Sequence, residues 1–186
     1  MTDAGDPAVS PGAGDGAGAE FQSMLVALLP RLRRFCHGLA GNRDAGDDLL
    51  QLAVERALAR HGQWEPGTSL ENWVMKIASN ANIDRLRAEK VRGVAVEIDE
   101  ALDLPGEDQL AMLEFRSELE AARAALAAMP DHLRAVMATV VIDGRSYREA
   151  ADLLEVPIGT VMSRVSRARQ FVEAFVRRGP ERMVAA

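Results

Sequence analysis

Apolar residues recur at intervals of three and four along most of the chain, and this spacing predicts amphipathic helices. The first series, from position 21 to position 39, consists of Phe21, Met24, Leu25, Leu28, Leu32, Phe35 and Leu39. These side chains share one stripe of a helix, and Pro30 is a point where that helix can bend. The stretch Gly41-Asn42-Arg43-Asp44 follows, which ends this helix and offers a cap for the next one.

Two more helices are predicted in the same block. The first covers residues 45–60 and turns Leu49, Leu52, Ala53 and Ala57 inward, while Asp47, Asp48, Gln51 and Glu55 line its outer face at close to four-residue spacing. Outer acidic faces are most often simply solvated. A turn-rich loop, residues 61–71, then leads into a third helix over residues 72–92.

Residues 146–169 have the pattern of a helix, a tight turn and a second helix. Ser146 and Glu149 have the spacing of a capping box, and Glu155-Val156-Pro157 allows only a tight turn. In the second helix Ile158, Val161, Val165 and Ala168 form a stripe to be buried, and Thr160, Ser163, Arg164 and Arg167 form an outward one. A helix of about three turns with such a face fits the DNA major groove, the alternative being a solvated surface helix.

Composition favours helical packing. The chain has 186 residues, of which 48% are apolar and only 4% aromatic, so two small all-α domains are expected. Cys36 is the single cysteine, which excludes an internal disulfide and predicts a buried thiol. The three histidines are scattered without metal-ligand spacing, and neither a metal nor another cofactor is expected.

The net charge of −6 is unevenly distributed. Residues 1–19 contain three acids and no base, and residues 93–113 contain six acids and no base, so each remaining block is close to neutral. These two segments are predicted to be a disordered tail and a flexible acidic linker, and 179–186 a C-terminal tail. No secretory signal and no run of about 18 apolar residues is found, which predicts a cytoplasmic protein without membrane insertion.

Three motifs in order carry a family resemblance: DAGDDLLQLAVERAL at 44–58, WVMKIASNANIDRLR at 73–87 and SYREAADLLEVPIGTVMSRVSRARQ at 146–170. Over about residues 20–178 the chain resembles bacterial sigma factors of the extracytoplasmic-function (ECF) group. The resemblance implies sigma region two at 20–92 and the helix-turn-helix of region four at 114–178. It further implies an alternative sigma factor that binds core RNA polymerase and promoter DNA, and that an anti-sigma factor regulates.

The resemblance also assigns residues to three surfaces. Contacts with core polymerase, at the β′ clamp helices and the β subunit, would come from region two and its second helix, with Asp47, Asp48, Gln51, Leu52 and Glu55. The minus-ten element would be held by Lys76, Asn80, Asp84, Arg85 and Arg87, with a pocket for a flipped base in residues 61–71. The minus-thirty-five element would be read by Thr160, Ser163, Arg164, Ser166, Arg167 and Arg169.

Four residues of these motifs carry further expectations. Trp73 is predicted to belong to the core rather than to stack on a base, and Asp84 and Arg87, one turn apart, are expected to pair with each other. Met162 departs from the basic residue common at its position in the family, which leaves the promoter sequence open.

The sequence is also compatible with alternatives to a sigma factor. A sigma-like mimic could bind an anti-sigma protein without initiating transcription. A helix-turn-helix repressor would account for residues 115–178 but not for the first block. An enzyme fits least, because no nucleophile, base and oxyanion donors occur together in the sequence.

Overall fold

Every regular element that the structure describes is helical. The computed structural model describes residues 14–92 and 120–178, so the predicted linker 93–113 and the tail residues 1–13 and 179–186 lie outside the described residues. The helices are α1 (Gly14–Ala40), α2 (Arg43–Ala59), α3 (Leu70–Arg92), α4 (residues 120–128), α5 (Asp131–Met137), α6 (Tyr147–Leu154) and α7 (Ile158–Arg178). A 3₁₀ turn, His61–Gln63, follows α2, and a π-helical turn, Ala138–Ile142, follows α5. The all-α prediction is confirmed for these residues.

Helices α1, α2 and α3 form an N-terminal bundle around one apolar core. Its fully buried side chains include Leu32, Phe35, Leu39, Leu49, Val74 and Met75. Met24, predicted to face inward, is 39% exposed. At about 100° per residue, position 24 lies at the margin of the stripe defined by the other apolar positions of α1, so that prediction is wrong.

Helices α4 to α7 form a C-terminal bundle with smaller apolar clusters. Val161, Val165 and Ala168 are buried as predicted, whereas Ile158 is 48% exposed. Ile158 lies in the first turn of α7 and to one side of the mean direction of the other three residues, which explains the error. The helix is also longer than the predicted three turns, since it has 21 residues.

Local capping chemistry follows the predicted pattern. The Asn42 side chain accepts a hydrogen bond from the Ala45 amide at 2.8 Å, and Gly41 ends α1 with φ +82°. Ser146 and Glu149 form a reciprocal capping box at the start of α6. The predicted cap within residues 41–44 and the predicted start at Ser146 are therefore confirmed, while α2 begins at Arg43 rather than at the predicted position 45.

Some boundaries differ from the predictions. Helix α1 begins at Gly14, inside the segment 1–19 that composition had assigned to a disordered tail. The π-helical turn was not predicted, because a segment of five residues is too short for the apolar spacing to distinguish a π-turn from an α-turn. None of the helices within residues 14–92 and 120–178 is both long enough and apolar enough to cross a membrane.

The two bundles pack against each other. Ala138 and Leu153 of the C-terminal bundle are buried in the same cluster as the N-terminal core. A Cβ atom at Gly38 of α1 would lie 2.6 Å from Ile142 Cδ1 and 3.1 Å from Ala138 Cβ, so a residue without a side chain is needed at this crossing.

Candidate nucleic-acid and protein interfaces

The outer face of α2 presents polar side chains in two groups. Asp48, Gln51 and Glu55 are exposed together, and Gln51 donates a hydrogen bond to Glu55 at 2.9 Å. Leu52 is half-buried and packs against the core. The predicted face therefore exists, with Leu52 at its inner margin.

Asp47 of the same helix is turned towards α1. Its carboxylate accepts hydrogen bonds from Arg33 at 3.0 and 3.1 Å, and it lies 2.8 Å from His37 Nε2. The bond from Arg33, followed by that with His37, lowers the pKa of Asp47 from 3.8 to about 2. Asp47 thus joins α1 to α2, besides bordering the exposed group on α2.

A cleft of about 180 Å³ lies between α2 and α3. It is lined by Arg56, Arg60, Trp73, Lys76, Ile77 and Asn80. Lys76 and Asn80 were predicted for the minus-ten surface, whereas Arg56 and Arg60 were not. Their only sequence signal is a four-residue spacing at the end of α2, and the packing of α2 on α3 brings them to Lys76.

The remaining predicted minus-ten residues are divided between two environments. Asp84 Oδ2 lies 3.3 Å from Nη1 of Arg56, and Asp84 Oδ1 lies 4.0 Å from Nη1 of the exposed Arg87. The expected Asp84–Arg87 pair is therefore found, and Arg56 is the closer partner. Arg85 does not line the cleft. Its half-buried guanidinium donates to Glu89 at 2.6 Å and to Asn82 at 3.0 Å, a structural arrangement.

Both tryptophans belong to an aromatic group around Phe21 of α1. The Trp73 ring centroid is 6.2 Å from that of Phe21 and the Trp64 centroid 5.8 Å. Trp73 is half-buried against the core, as predicted, although one edge also lines the cleft. Trp64 fixes the loop 61–71 onto α1, and the cleft is formed by side chains outside that loop.

The predicted reading face of α7 is open to solvent. Ser163, Ser166, Arg167 and Arg169 are exposed, and Thr160 and Arg164 are half-buried beside them. The Ser163 hydroxyl donates to the Thr160 carbonyl at 3.0 Å. Among the described residues, none of the three arginines pairs with a carboxylate, so their charges are available to an anionic partner. Met162 is 54% exposed next to this face.

Family models match both bundles. The model for sigma-70, region 4 matches residues 119–172, and that for the sigma2 domain of PhyR matches residues 25–79. The ECF RNA polymerase sigma factor EcfG of Rhodopseudomonas palustris is 36% identical over 155 residues, which cover 82% of each chain. The chain belongs to the ECF sigma factors.

Other relatives agree with this assignment. The ECF sigma factor SigW of Bacillus subtilis is 26% identical over 163 residues, covering 81% of this chain and 85% of SigW. Among solved structures, the sigma factor RpoE in complex with the anti-sigma factor NepR from Bartonella quintana is similar, with a TM-score of 0.68 and 26% identity. That match covers 85% of this chain and 97% of RpoE. This ECF sigma factor is accordingly an alternative sigma factor of RNA polymerase, and its family consists of transcription regulators.

Proposed function

We propose that this ECF sigma factor directs promoter-specific initiation through three surfaces on two domains, region two at 20–92 and region four at 114–178. The observation that carries the proposal is the arginine face of α7, which pairs with no carboxylate of the described residues, together with a second cationic site, the α2–α3 cleft. Two separate cationic sites on one chain suit two separate promoter elements. The proposed place of action is the cytoplasm, where the polymerase and its template are found.

The polymerase surface is assigned to α2. Asp48, Gln51 and Glu55 form an exposed polar group, and carboxylates there suit arginines of the clamp helices through charge-assisted hydrogen bonds. Asp47 is assigned mainly to positioning this surface, because its carboxylate already binds Arg33 and His37.

The minus-ten surface is assigned to the α2–α3 cleft. Extruding a base from a duplex costs a few kcal/mol, which must be offset by contacts with the separated strand. Lys76, Arg56 and Arg60 supply positive charge for phosphates, and exposed Asn80 supplies an amide for a base edge. Arg87 extends the positive surface along α3, whereas Arg85 is assigned to stabilising α3 through Glu89 and Asn82.

The minus-thirty-five surface is assigned to the outer face of α7. Arg167 and the hydroxyls of Thr160, Ser163 and Ser166 face outward and can bond base edges in the major groove. Arg164 and Arg169 lie to the sides of this outward face, where they can bind the phosphates of the DNA backbone that border the groove. Met162 contributes an apolar contact where a basic residue would contribute a charged one.

An anti-sigma factor is assigned as the inhibitory partner. The support comes from RpoE of Bartonella quintana, whose solved structure is a complex with the anti-sigma factor NepR. A protein that covers parts of both bundles would block polymerase and promoter together.

Run-off transcription with purified core polymerase tests the function. We expect specific start sites that appear only when the chain is added. A sigma-like mimic would bind an anti-sigma protein yet give no transcript, and a repressor would bind duplex DNA tightly without core polymerase. Either result would refute the proposal if promoters recovered from a genomic library also gave no specific initiation.

A further inference from the structure

Two large apolar side chains are exposed at the start of α7, beside its proposed reading face. Ile158 is 48% exposed and Met162 is 54% exposed. Their four-residue spacing makes them neighbours on the helix surface, with about 5–6 Å between their Cβ atoms. Single exposed apolar residues are common on proteins, but these two lie together on a face that is otherwise polar. Ile158 and Met162 are called the apolar pair below.

Folding of the C-terminal bundle does not account for a methionine at position 162. The side chains of α7 that enter the apolar clusters of this bundle include Val161, Val165 and Ala168, all of which are buried. At about 100° per residue, Met162 lies roughly a quarter of a turn away from the mean direction of these three. Packing within the chain therefore leaves about half of this side chain in solvent.

The surroundings of the apolar pair indicate what kind of partner covers it. Ser166 and Arg169 follow Met162 by four and seven residues, so they lie on the same side of α7, and both are exposed. Arg169 pairs with no carboxylate of the described residues. Hydroxyl and guanidinium groups bind phosphates and base edges. A partner that complements this side of α7 is therefore anionic and also offers a small apolar group.

The major groove of DNA combines these two properties. Its walls carry the phosphate charge, and its floor presents the hydrogen-bond donors and acceptors of the base pairs. Among the four bases only thymine adds a methyl group there, on its C5 atom. An apolar side chain that reaches the floor of the groove can thus gain free energy by covering a thymine methyl group.

The apolar pair also lies in the part of α7 that can reach the bases. In helix-turn-helix proteins the N-terminal residues of the second helix contact base edges, and α7 is the second helix of such a unit, after α6. Ile158 begins α7, and Met162 follows in the next turn. A Cβ atom at the exposed Gly159 would meet no atom within 4 Å, so packing does not require glycine there. The missing side chain lets this first turn approach the bases closely.

We propose that Met162, with Ile158 beside it, recognises the methyl group of a thymine in the minus-thirty-five element. This inference rests on the proposed role of α7 in reading that element. The unbranched thioether side chain of methionine adapts its shape to a methyl group and carries no charge. The apolar pair therefore selects an A·T base pair at one position of the element, whereas a basic residue at position 162 would bond to guanine or to a phosphate.

Replacement of thymine by deoxyuridine tests the proposal, because it removes the methyl group and keeps the base pair. Promoters that the chain uses are first identified by run-off transcription. Holoenzyme assembled from core polymerase and this chain is then titrated with promoter duplexes in which each thymine of the element, on either strand, is replaced in turn. Fluorescence anisotropy gives the dissociation constants. We expect binding to weaken about fourfold at one position, the effect of uncovering one buried methyl group.

Three variants of α7 identify the side chain that covers this methyl group. Met162→Ala should weaken binding to the thymine promoter about fourfold, and deoxyuridine at the sensitive position should then cause no further loss. Met162→Leu keeps a large apolar side chain and should retain the dependence on the methyl group. Val176→Ala is the control and should behave as the parent does. Val176 is 62% exposed on the same side of α7 as Ile158, but about 27 Å further along the helix axis.

The other outcomes separate this inference from the proposed function. If the parent showed no methyl dependence at any thymine of the element, or if Met162→Ala kept the full dependence, thymine recognition by Met162 would be overturned while specific initiation still supported the proposed function. If Met162→Ala instead weakened association with core polymerase in a pull-down, and affected thymine and deoxyuridine promoters equally, the apolar pair would be a protein contact. A parent that gives no specific transcript would count against the proposed function itself.

Discussion

Arg134 of α5 donates from Nε to the backbone carbonyl of Leu39, in the last turn of α1, at 3.0 Å. Its Nη1 donates to the carbonyls of Met129 at 3.0 Å and Ala127 at 3.2 Å, at the end of α4, and its Nη2 pairs with Asp131. One buried guanidinium therefore satisfies the terminal carbonyls of helices from both bundles. Burial lowers the pKa of Arg134, and Asp131 opposes that shift.

Replacing Arg134 with methionine should destabilise the protein. The methionine keeps much of the apolar stem but leaves the buried carbonyls without donors, and we expect a loss of about 3 kcal/mol in the free energy of unfolding. Urea denaturation followed by circular dichroism measures it. Arg148→Met on the exposed face of α6 is the control, with an expected change below about 0.5 kcal/mol. Equal effects of the two changes would contradict this role for Arg134.

Gly46→Ala should destabilise the crossing of α1 and α2. A Cβ at Gly46 would lie 2.8 Å from the Cα of His37, and a backbone atom cannot move aside as a side chain can. Despite the better helix propensity of alanine, we expect a loss of about 1–3 kcal/mol by thermal or urea unfolding. Gly159→Ala in α7 has no atom within 4 Å of the new Cβ and should be neutral or stabilising. A stable Gly46→Ala protein would refute this packing.

The carboxyl group of Asp47 should titrate with a midpoint near pH 2. Because this pKa is lowered from 3.8 on folding, Asp47 contributes stability above about pH 4, and the contribution is lost as the pH falls through about 2. Carbon-13 NMR of the carboxyl group measures the midpoint. Arg33→Gln should raise it towards 3.8, whereas Arg34→Gln, at an exposed position nearby, should not. An unchanged midpoint in Arg33→Gln would show that this pair is not the cause.

Changes on the two outer surfaces should separate DNA reading from polymerase binding. Arg167→Ala is expected to reduce run-off initiation about tenfold on promoters that depend on the minus-thirty-five element, corresponding to one good base contact of about 1–3 kcal/mol. Arg177→Ala, further along α7, is its matched control and should retain activity. Asp48→Arg should weaken association with core polymerase in a pull-down while leaving DNA binding by region four intact. Loss of both activities in either variant would contradict the assigned surfaces.

Local chemistry made much of the fold predictable. Asn42, Gly41, Ser146 and Glu149 act on backbone groups within a few residues, so their caps follow from sequence order alone. The buried stripe of Val161, Val165 and Ala168 likewise follows from helical periodicity. The three ordered motifs were sufficient to indicate the ECF family, which the comparisons then confirmed.

The assembly of the sites depends on contacts between distant segments. Arg56 and Arg60 reach the cleft only because α2 packs on α3, and the pairing of Arg85 with Glu89 and Asn82 keeps it out.

The arrangement of the two bundles was decided by tertiary structure alone. The sequence around Arg145 is typical of an ordinary surface arginine. The side chain is nevertheless buried against Glu71, which lies 74 residues earlier in the chain. Periodicity and capping depend on residues within a turn or two of one helix. They do not determine which helix faces pack against each other in the tertiary structure. The sequence determined the helices, their caps and the family, while long-range packing and charge pairing determined which arginines and lysines of the described residues are exposed outside ion pairs.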